Sequence, residues 1–444
     1  MKQNIFNPLI ISTLLSITFS ISSNSQELKR RGLWESKIAY PKNNIPGAKI
    51  VSVTNNSAFE TAGLKADDMI IEVNDILIDT PETWTEIKYD VRAQNNTKFK
   101  IIRGNDLLIK HVNFKEYPKE KHPNLETYYE QVTNRFGITQ RVIITKPKNI
   151  KTPQPAIVLI GGLSCSSIEA HPTKANNWTR LIKDLVEKSE MVVMRIEKPG
   201  VGDSEGDCSK SDFLTDLSGY KAAITHLKSK TYINTSKIVV YGSSMGSALA
   251  PLLANEYDLA GVISDGTFFK TWFEHMLEIE RRILSMKGNN ESTIVKKMNT
   301  YYIPLYYGML IQKKSYMDIV NDYPALSEYN YHGPYHMYGR PLKYYQQLQD
   351  FDIAGAWEKV NAPVRILRGT NDWIMSAFDN QMILKVLQQK KHSNFELYEY
   401  PGLDHWNTIH ESALDSFKGK PGKWDDKISQ TIINWAKEIV VNDL

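Results

Sequence analysis

The sequence predicts an α/β protein: a mostly parallel sheet covered by helices, preceded by a smaller β-rich module. Three observations carry this. Continuous apolar runs recur at 155–160, 191–196 and 237–241, each leading through a glycine-containing turn into a helical stretch. Such runs mark strands buried on both faces, as in a parallel sheet with helices on each side. Residues 28–115 lack that alternation and read as short strands and turns with little helix. Between the two, residues 116–124 are polar and contain Pro118 and Pro123, the composition of a linker.

Composition narrows the function classes. The chain has 444 residues, 41% apolar and 23% charged, which suits a globular protein of two or three domains. Lys plus Arg number 54 against 50 Asp plus Glu, a net charge of +4 that gives no reason to expect a nucleic-acid partner. Two cysteines exclude a disulfide scaffold and leave too few ligands for the usual structural zinc site.

The elements follow in chain order. Lys2 precedes an apolar run from Ile5 to Ile21, and Ser22-Ser23-Asn24-Ser25 supplies small residues before Gln26. This is the pattern of a secretory signal peptide, residues 1–25, cleaved after Ser25. An uncleaved anchor is the alternative, opposed by Asn7, Pro8 and the shortness of the run. No later stretch is long and apolar enough to cross a bilayer, so the mature chain is expected to be periplasmic or extracellular without a transmembrane segment.

In the first module, residues 28–115, a strand is expected at 48–53, a turn at 55–57 and a short helix at 58–64 closing on Gly63. Residues 67–75 read as a strand entering a tight turn. Thr80 and Pro81 are the residue types of an N-cap and a first helical position. Residues 99–103 and 107–109 form a hairpin about Gly104-Asn105-Asp106. This order, with Val51-x-Val53, Ser57-Ala58, Ala62-Gly63-Leu64 and Val73-Asn74-Asp75, resembles a PDZ domain of the bacterial secreted type. Asp67 and Asp75 stand where that family usually has Gly, and Asp can occupy the left-handed turn conformation. Ile45-Pro46-Gly47-Ala48 is the candidate loop for a peptide carboxylate. The resemblance implies either addition of a peptide or protein partner to a sheet edge or a docking module that takes no free peptide.

The second region, residues 125–444, carries the chemistry. The run at 155–160 ends in Gly161-Gly162-Leu163-Ser164-Cys165, and a helix is expected at 178–186. The run at 191–196 ends in Lys198-Pro199-Gly200-Val201-Gly202-Asp203-Ser204, and a helix is expected over 213–228. The run at 237–241 enters Gly242-x-Ser244-x-Gly246 and then a small-residue helix. A serine nucleophile must project from a sharp strand-to-helix turn, and the flanking glycines let neighbouring chain pass close to it. The helix N-terminus presents free N–H groups toward a developing oxyanion.

A serine hydroxyl needs a base, and the base needs an orienting acid. Asp372 follows the expected strand at 363–369, and His405 follows the expected last strand at 395–400. They are the candidate acid and base. His410 is the runner-up base and Asp379 the rival acid. The three stations Gly242–Gly246, Gly369-Thr370-Asn371-Asp372 and Gly402-Leu403-Asp404-His405 resemble those of the α/β-hydrolase family. By that resemblance Gly161-Gly162-Leu163 is the oxyanion loop, and the backbone N–H groups of Leu163 and Met245 are the oxyanion donors. Gly202-Asp203-Ser204 is then a structural turn on the rim of the site. In that fold Cys165 and Cys208 fall at one end of the sheet, so an exported chain is expected to bridge Cys165 to Cys208, with two free thiols as the alternative.

The region between Asp265 and Pro363 is rich in Tyr, Trp and Met, and the resemblance implies an inserted cap over roughly 267–360. Most of its aromatics are expected to be core, with some lining an apolar substrate pocket. The main expectation is a secreted serine hydrolase of small-molecule carboxylic esters using Ser244, His405 and Asp372, with no metal or organic cofactor. A serine peptidase with the same residues and a non-catalytic peptide-binding protein are the alternatives.

Overall fold

The structure, a computed structural model, describes residues 27–41, 46–169, 176–329 and 336–441. The expected signal peptide lies outside the described residues, as does Ile45 of the candidate carboxylate loop.

The N-terminal module is an antiparallel sheet of β1 (Lys37–Ala39), β2 (Ala48–Ser52), β3 (Met69–Val73), β4 (Ile76–Leu77), β5 (Asn96–Arg103) and β6 (Asp106–Asn113). Its order is β1-β2-β3-β5-β6, with β4 paired to β3. Helices α1 (Ala58–Thr61) and α2 (Pro81–Asp90) begin at side-chain caps: Ser57 accepts from Glu60 N–H and Thr80 from Thr83 N–H. Asp67 and Asp75 take φ values of 71° and 66°, the left-handed turns that those positions demand. Trp34 holds the core, with its ring 4.7 Å from Phe114 and 5.5 Å from Trp84.

The connection at 116–124 is packed down on the second region. Glu120 receives both guanidinium ends of Arg195 at 2.8 Å, and His122 bridges Glu120 and Glu187. Next comes an antiparallel pair, β7 (Leu125–Thr133) and β8 (Thr139–Pro147), that the sequence pattern does not mark. The other strands of the large sheet are β9 (Gln154–Ile160), β10 (Val192–Ile196), β11 (Ile233–Ser243) and β12 (Gly261–Asp265). After a two-strand ribbon of β13 (His336–Met337) and β14 (Arg340–Pro341) come β15 (Val364–Gly369) and β16 (Phe395–Tyr400). The order is β16-β15-β12-β11-β9-β10-β8-β7. Neighbours are parallel from β16 to β10, and β8 runs antiparallel to both of its neighbours.

The apolar runs divide between the two faces of this sheet. In β9, Ala156, Val158 and Ile160 face one core while Ile157 and Leu159 face the other. The period of two in side-chain direction produces this split. The first core is closed by α4 (Phe213–Lys228), α5 (Met245–Tyr257) and the cap. The second is closed by α3 (Asn177–Lys188) and the last helix, Lys427–Val441. The cap starts at α6 (Trp272–Met286), and its Tyr306, Tyr344 and Tyr345 are buried in the first core. Arg340 of the ribbon pins it to the sheet domain through Asp216, with both side chains buried.

Candidate active site

Ser244 sits between β11 and α5 at φ 54° and ψ −120°. A non-glycine residue holds such a conformation only where its surroundings over-determine it. They do so here. Ser244 N–H donates to Asp265 O at 2.8 Å, and its own C=O accepts from Ser247 N–H at 2.9 Å. A Cβ on Gly242 would meet Gly246 O at 2.3 Å, and one on Gly246 would meet Ile160 O at 2.2 Å. The two glycines therefore serve close approach of backbone, and the turn sits tight against the end of β9.

His405 follows β16 in a loop pinned by its neighbour Asp404, which accepts from Trp406 N–H and Thr408 N–H, both at 2.9 Å. His405 Nε2 lies 2.9 Å from Ser244 Oγ, and Nδ1 lies 2.8 Å from Asp372 Oδ2. The other oxygen of Asp372 accepts from Ile374 N–H and Met375 N–H at 2.8 and 2.9 Å. Burial alone would raise the Asp372 pKa, but the His405 charge and these hydrogen bonds hold it below the usual carboxylate range. For His405, burial works to lower the pKa, and the charge and hydrogen bond of Asp372, with the charges of Asp265 and Asp404, together overcome it and raise it. The structure thus brings Ser244, His405 and Asp372 into one hydrogen-bonded chain.

The rival residues are engaged elsewhere. His410 is not helical, and its Nε2 pairs with Asp404 at 3.1 Å. Asp379 accepts from Phe269 N–H and Lys270 N–H, anchoring the start of the cap.

The loop at 161–163 lies against the serine: a Cβ on Gly162 would meet Ser244 Cβ at 3.1 Å and Oγ at 3.6 Å. Among the described residues, neither Leu163 N–H nor Met245 N–H donates to a protein acceptor. Met245 opens α5, so its N–H is one of the donors that a helix leaves free. Cys165 and Cys208 are bonded, with Cα atoms 5.9 Å apart. The rim turn is more than a bend: the buried Asp203 carboxylate binds Arg30 and Arg141.

A family model described as "Serine aminopeptidase, S33" (Hydrolase_4) matches residues 173–412. The chain belongs to this α/β-hydrolase family. The hydrolase is also 32% identical over 90 residues to the α/β hydrolase domain-containing protein WAV2 of Arabidopsis thaliana. That match spans 20% of this chain and 28% of that protein. Among solved structures it resembles Est1E of Butyrivibrio proteoclasticus, described with bound ferulic acid, at 15% identity and TM-score 0.45. That overlap covers 70% of this chain and 100% of the other. The esterase PF2001 of Pyrococcus furiosus aligns at 11% identity and TM-score 0.43 over 73% and 97% of the two chains.

Three further buried groups in this neighbourhood carry no signal in the sequence. Asp265, at the end of β12, is pushed up to about 6 by burial and accepts from Tyr241 OH at 2.9 Å. His275, on α6, is pushed down to about 3 by burial and stays neutral against Phe268 and Trp272. Lys198 reaches from the end of β10 to the loop at 161–165. Each becomes visible only when strand ends and the cap are assembled in space.

Proposed function

We propose that this α/β-hydrolase is an exported serine esterase that works through an acyl-enzyme. The observation that carries the reading is the chain Asp372–His405–Ser244 beside two unengaged backbone N–H groups. Ser244 Oγ attacks the acyl carbon as His405 Nε2 takes its proton. The N–H groups of Leu163 and Met245 receive the oxyanion. The tetrahedral species collapses, the acyl–oxygen bond breaks, and His405 returns the proton to the departing alkoxide. Water then repeats the sequence on the Ser244 ester, releasing the acid.

The family description favours a second reading, an aminopeptidase with the same triad. That chemistry needs a carboxylate free to hold the substrate's α-ammonium. Among the described residues, the carboxylates that act on His405 are each bonded to a side chain: Asp372 to His405, Asp265 to Tyr241, and Asp404 to His410 and Ser416. This supports the ester.

The first module is read as PDZ-type and as a docking unit. The docking part of that reading is supported by Arg30 and Arg31, which pair with Glu169 and Asp203 of the hydrolase region. Export is supported by the Cys165–Cys208 bond, since such bonds persist in oxidising compartments.

A fluorophosphonate should label Ser244 in the folded protein, as read by peptide mass mapping, and Ser244→Ala should lose both label and turnover of p-nitrophenyl esters. An unlabelled wild type would favour the non-catalytic reading. Faster cleavage of aminoacyl amides than of esters would favour the aminopeptidase.

A further inference from the structure

We propose that Lys198 is a positioning residue that aims the Leu163 N–H at the oxyanion; this rests on the esterase reading of Ser244. Lys198 lies at the end of β10, and its side chain is almost wholly buried. Its ammonium donates to Gly162 O and, at 2.7 Å, to Ser164 O. Among the described residues it forms no ion pair. The neighbouring carboxylate, Glu197, is held by Ser167 Oγ and Ile168 N–H. Glu197, Asp216 and Arg340 are the charges that act on it, and burial lowers its pKa to about 8.

Burying a lysine to bind two carbonyls is a costly arrangement. Its placement explains what it achieves. The two carbonyls bracket Leu163. In a trans peptide, C=O and the following N–H point in opposite directions. Fixing Gly162 O on Lys198 therefore turns Leu163 N–H away from the lysine. The Gly162 end of that same peptide plane is the part of the loop packed on Ser244. The second bond, to Ser164 O, fixes the next plane but one, just before disulfide-bonded Cys165. The ammonium thus sets the rotation of the peptide and the disulfide sets the path of the loop. Neither contact involves Ser244, His405 or Asp372.

The test compares wild type, Lys198→Met and Lys198→Arg, each normalised to sites titrated by a fluorophosphonate. Methionine keeps the length and loses the donor; arginine keeps a charged donor. Loss of one oxyanion donor typically costs about 10²–10³ in kcat. Misaiming one should cost roughly 10- to 100-fold in kcat, with KM for a p-nitrophenyl ester within about twofold. Affinity for a trifluoromethyl ketone, whose hemiketal oxygen occupies the oxyanion position, should fall in step with kcat/KM. Affinity for the product acid should not. Lys198→Arg should recover most of both losses.

An unchanged kcat in Lys198→Met overturns the proposal. So does a loss that appears equally in KM, in product affinity and in Lys198→Arg, because that pattern marks general loosening of the loop. Should Lys198→Met fail to fold, Lys198→Gln gives the same comparison and is read by the same criteria. A wild type that neither labels nor turns over esters instead defeats the esterase reading, a result separate from any difference among the variants.

Discussion

At the scale of single residues, the electrostatics of the proposed triad Ser244, His405 and Asp372 fix how activity should depend on pH. His405 must be neutral to accept the Ser244 proton. Burial is the largest single effect and lowers its pKa, but the charge and hydrogen bond of Asp372 together with the charges of Asp265 and Asp404 outweigh it and raise the pKa above the ordinary imidazole value of about 6.5. The acid limb of kcat/KM should therefore lie above that of free imidazole, with activity rising as His405 deprotonates. In Asp372→Asn the raising charge is gone and burial remains, so the limb should move to lower pH. Activity should meanwhile fall by about 10⁴, through loss of the correct tautomer. A pH–rate profile of both proteins checks this; a limb that stays in place would exclude Asp372 as the partner of His405. These residues were legible in sequence because the chemistry constrains type, order and distance from a strand end. Lys198 and His275 were not, because a lysine after a strand and a histidine in a helix have many uses. Only the folded neighbourhood selects one.

At the scale of elements, the loop at 161–169 is held by contacts that are far apart in sequence. The Cys165–Cys208 bond closes a loop with a sequence separation of 43. On the chain-entropy account, a loop of that length contributes about 4 kcal/mol. The double variant Cys165→Ala/Cys208→Ala should melt lower by several degrees and lose kcat more than substrate affinity, because the loop that carries Leu163 is freed. Calorimetry with ester kinetics reads both. Melting unchanged from wild type would mean that the cap contact Arg340–Asp216 and Lys198 suffice to hold the loop. The strands leading to the site were readable because central parallel strands need unbroken apolar runs. The β7–β8 pair was not. In β7, Leu125, Thr127 and Tyr129 are only half-buried, and in β8 the buried stretch mixes Val142-Ile143-Ile144 with Thr139, Gln140, Arg141 and Thr145, so neither strand shows a long apolar run or a clean alternation.

At the scale of the whole molecule, the two modules meet through buried charge rather than an apolar seam. The chain just before the first sheet runs along the hydrolase region: Leu28 N–H donates to Gln131 Oε1 and Leu28 O accepts from Arg141. Arg30 then binds Asp203 and Glu169 at 2.7 Å each, with all three side chains at most 4% exposed. Arg31 adds a second bond to Glu169 and gives its N–H to Asp203. Glu169 and Asp203 sit on the two loops that the disulfide also joins, so the first module grips the same structure that surrounds the proposed oxyanion site. Nothing in the composition of 28–31 or of the polar 116–124 segment announced this, since paired charges look like solvated charges until their partners are known. Removing one member of a buried ion pair typically costs about 3–5 kcal/mol, because the other is left unpaired. In Arg30→Met, Arg31 and Arg141 still partly compensate the two carboxylates, so the loss should fall near the lower figure. The wild type should unfold as one cooperative transition, and Arg30→Met should split it in two, the smaller and earlier one belonging to the N-terminal module. Arg30→Met should also slow ester turnover while Ser244 stays labelled, because the loops are loosened and the triad is not. A single transition at the wild-type temperature would show that the modules are coupled by the backbone contacts of the connection instead.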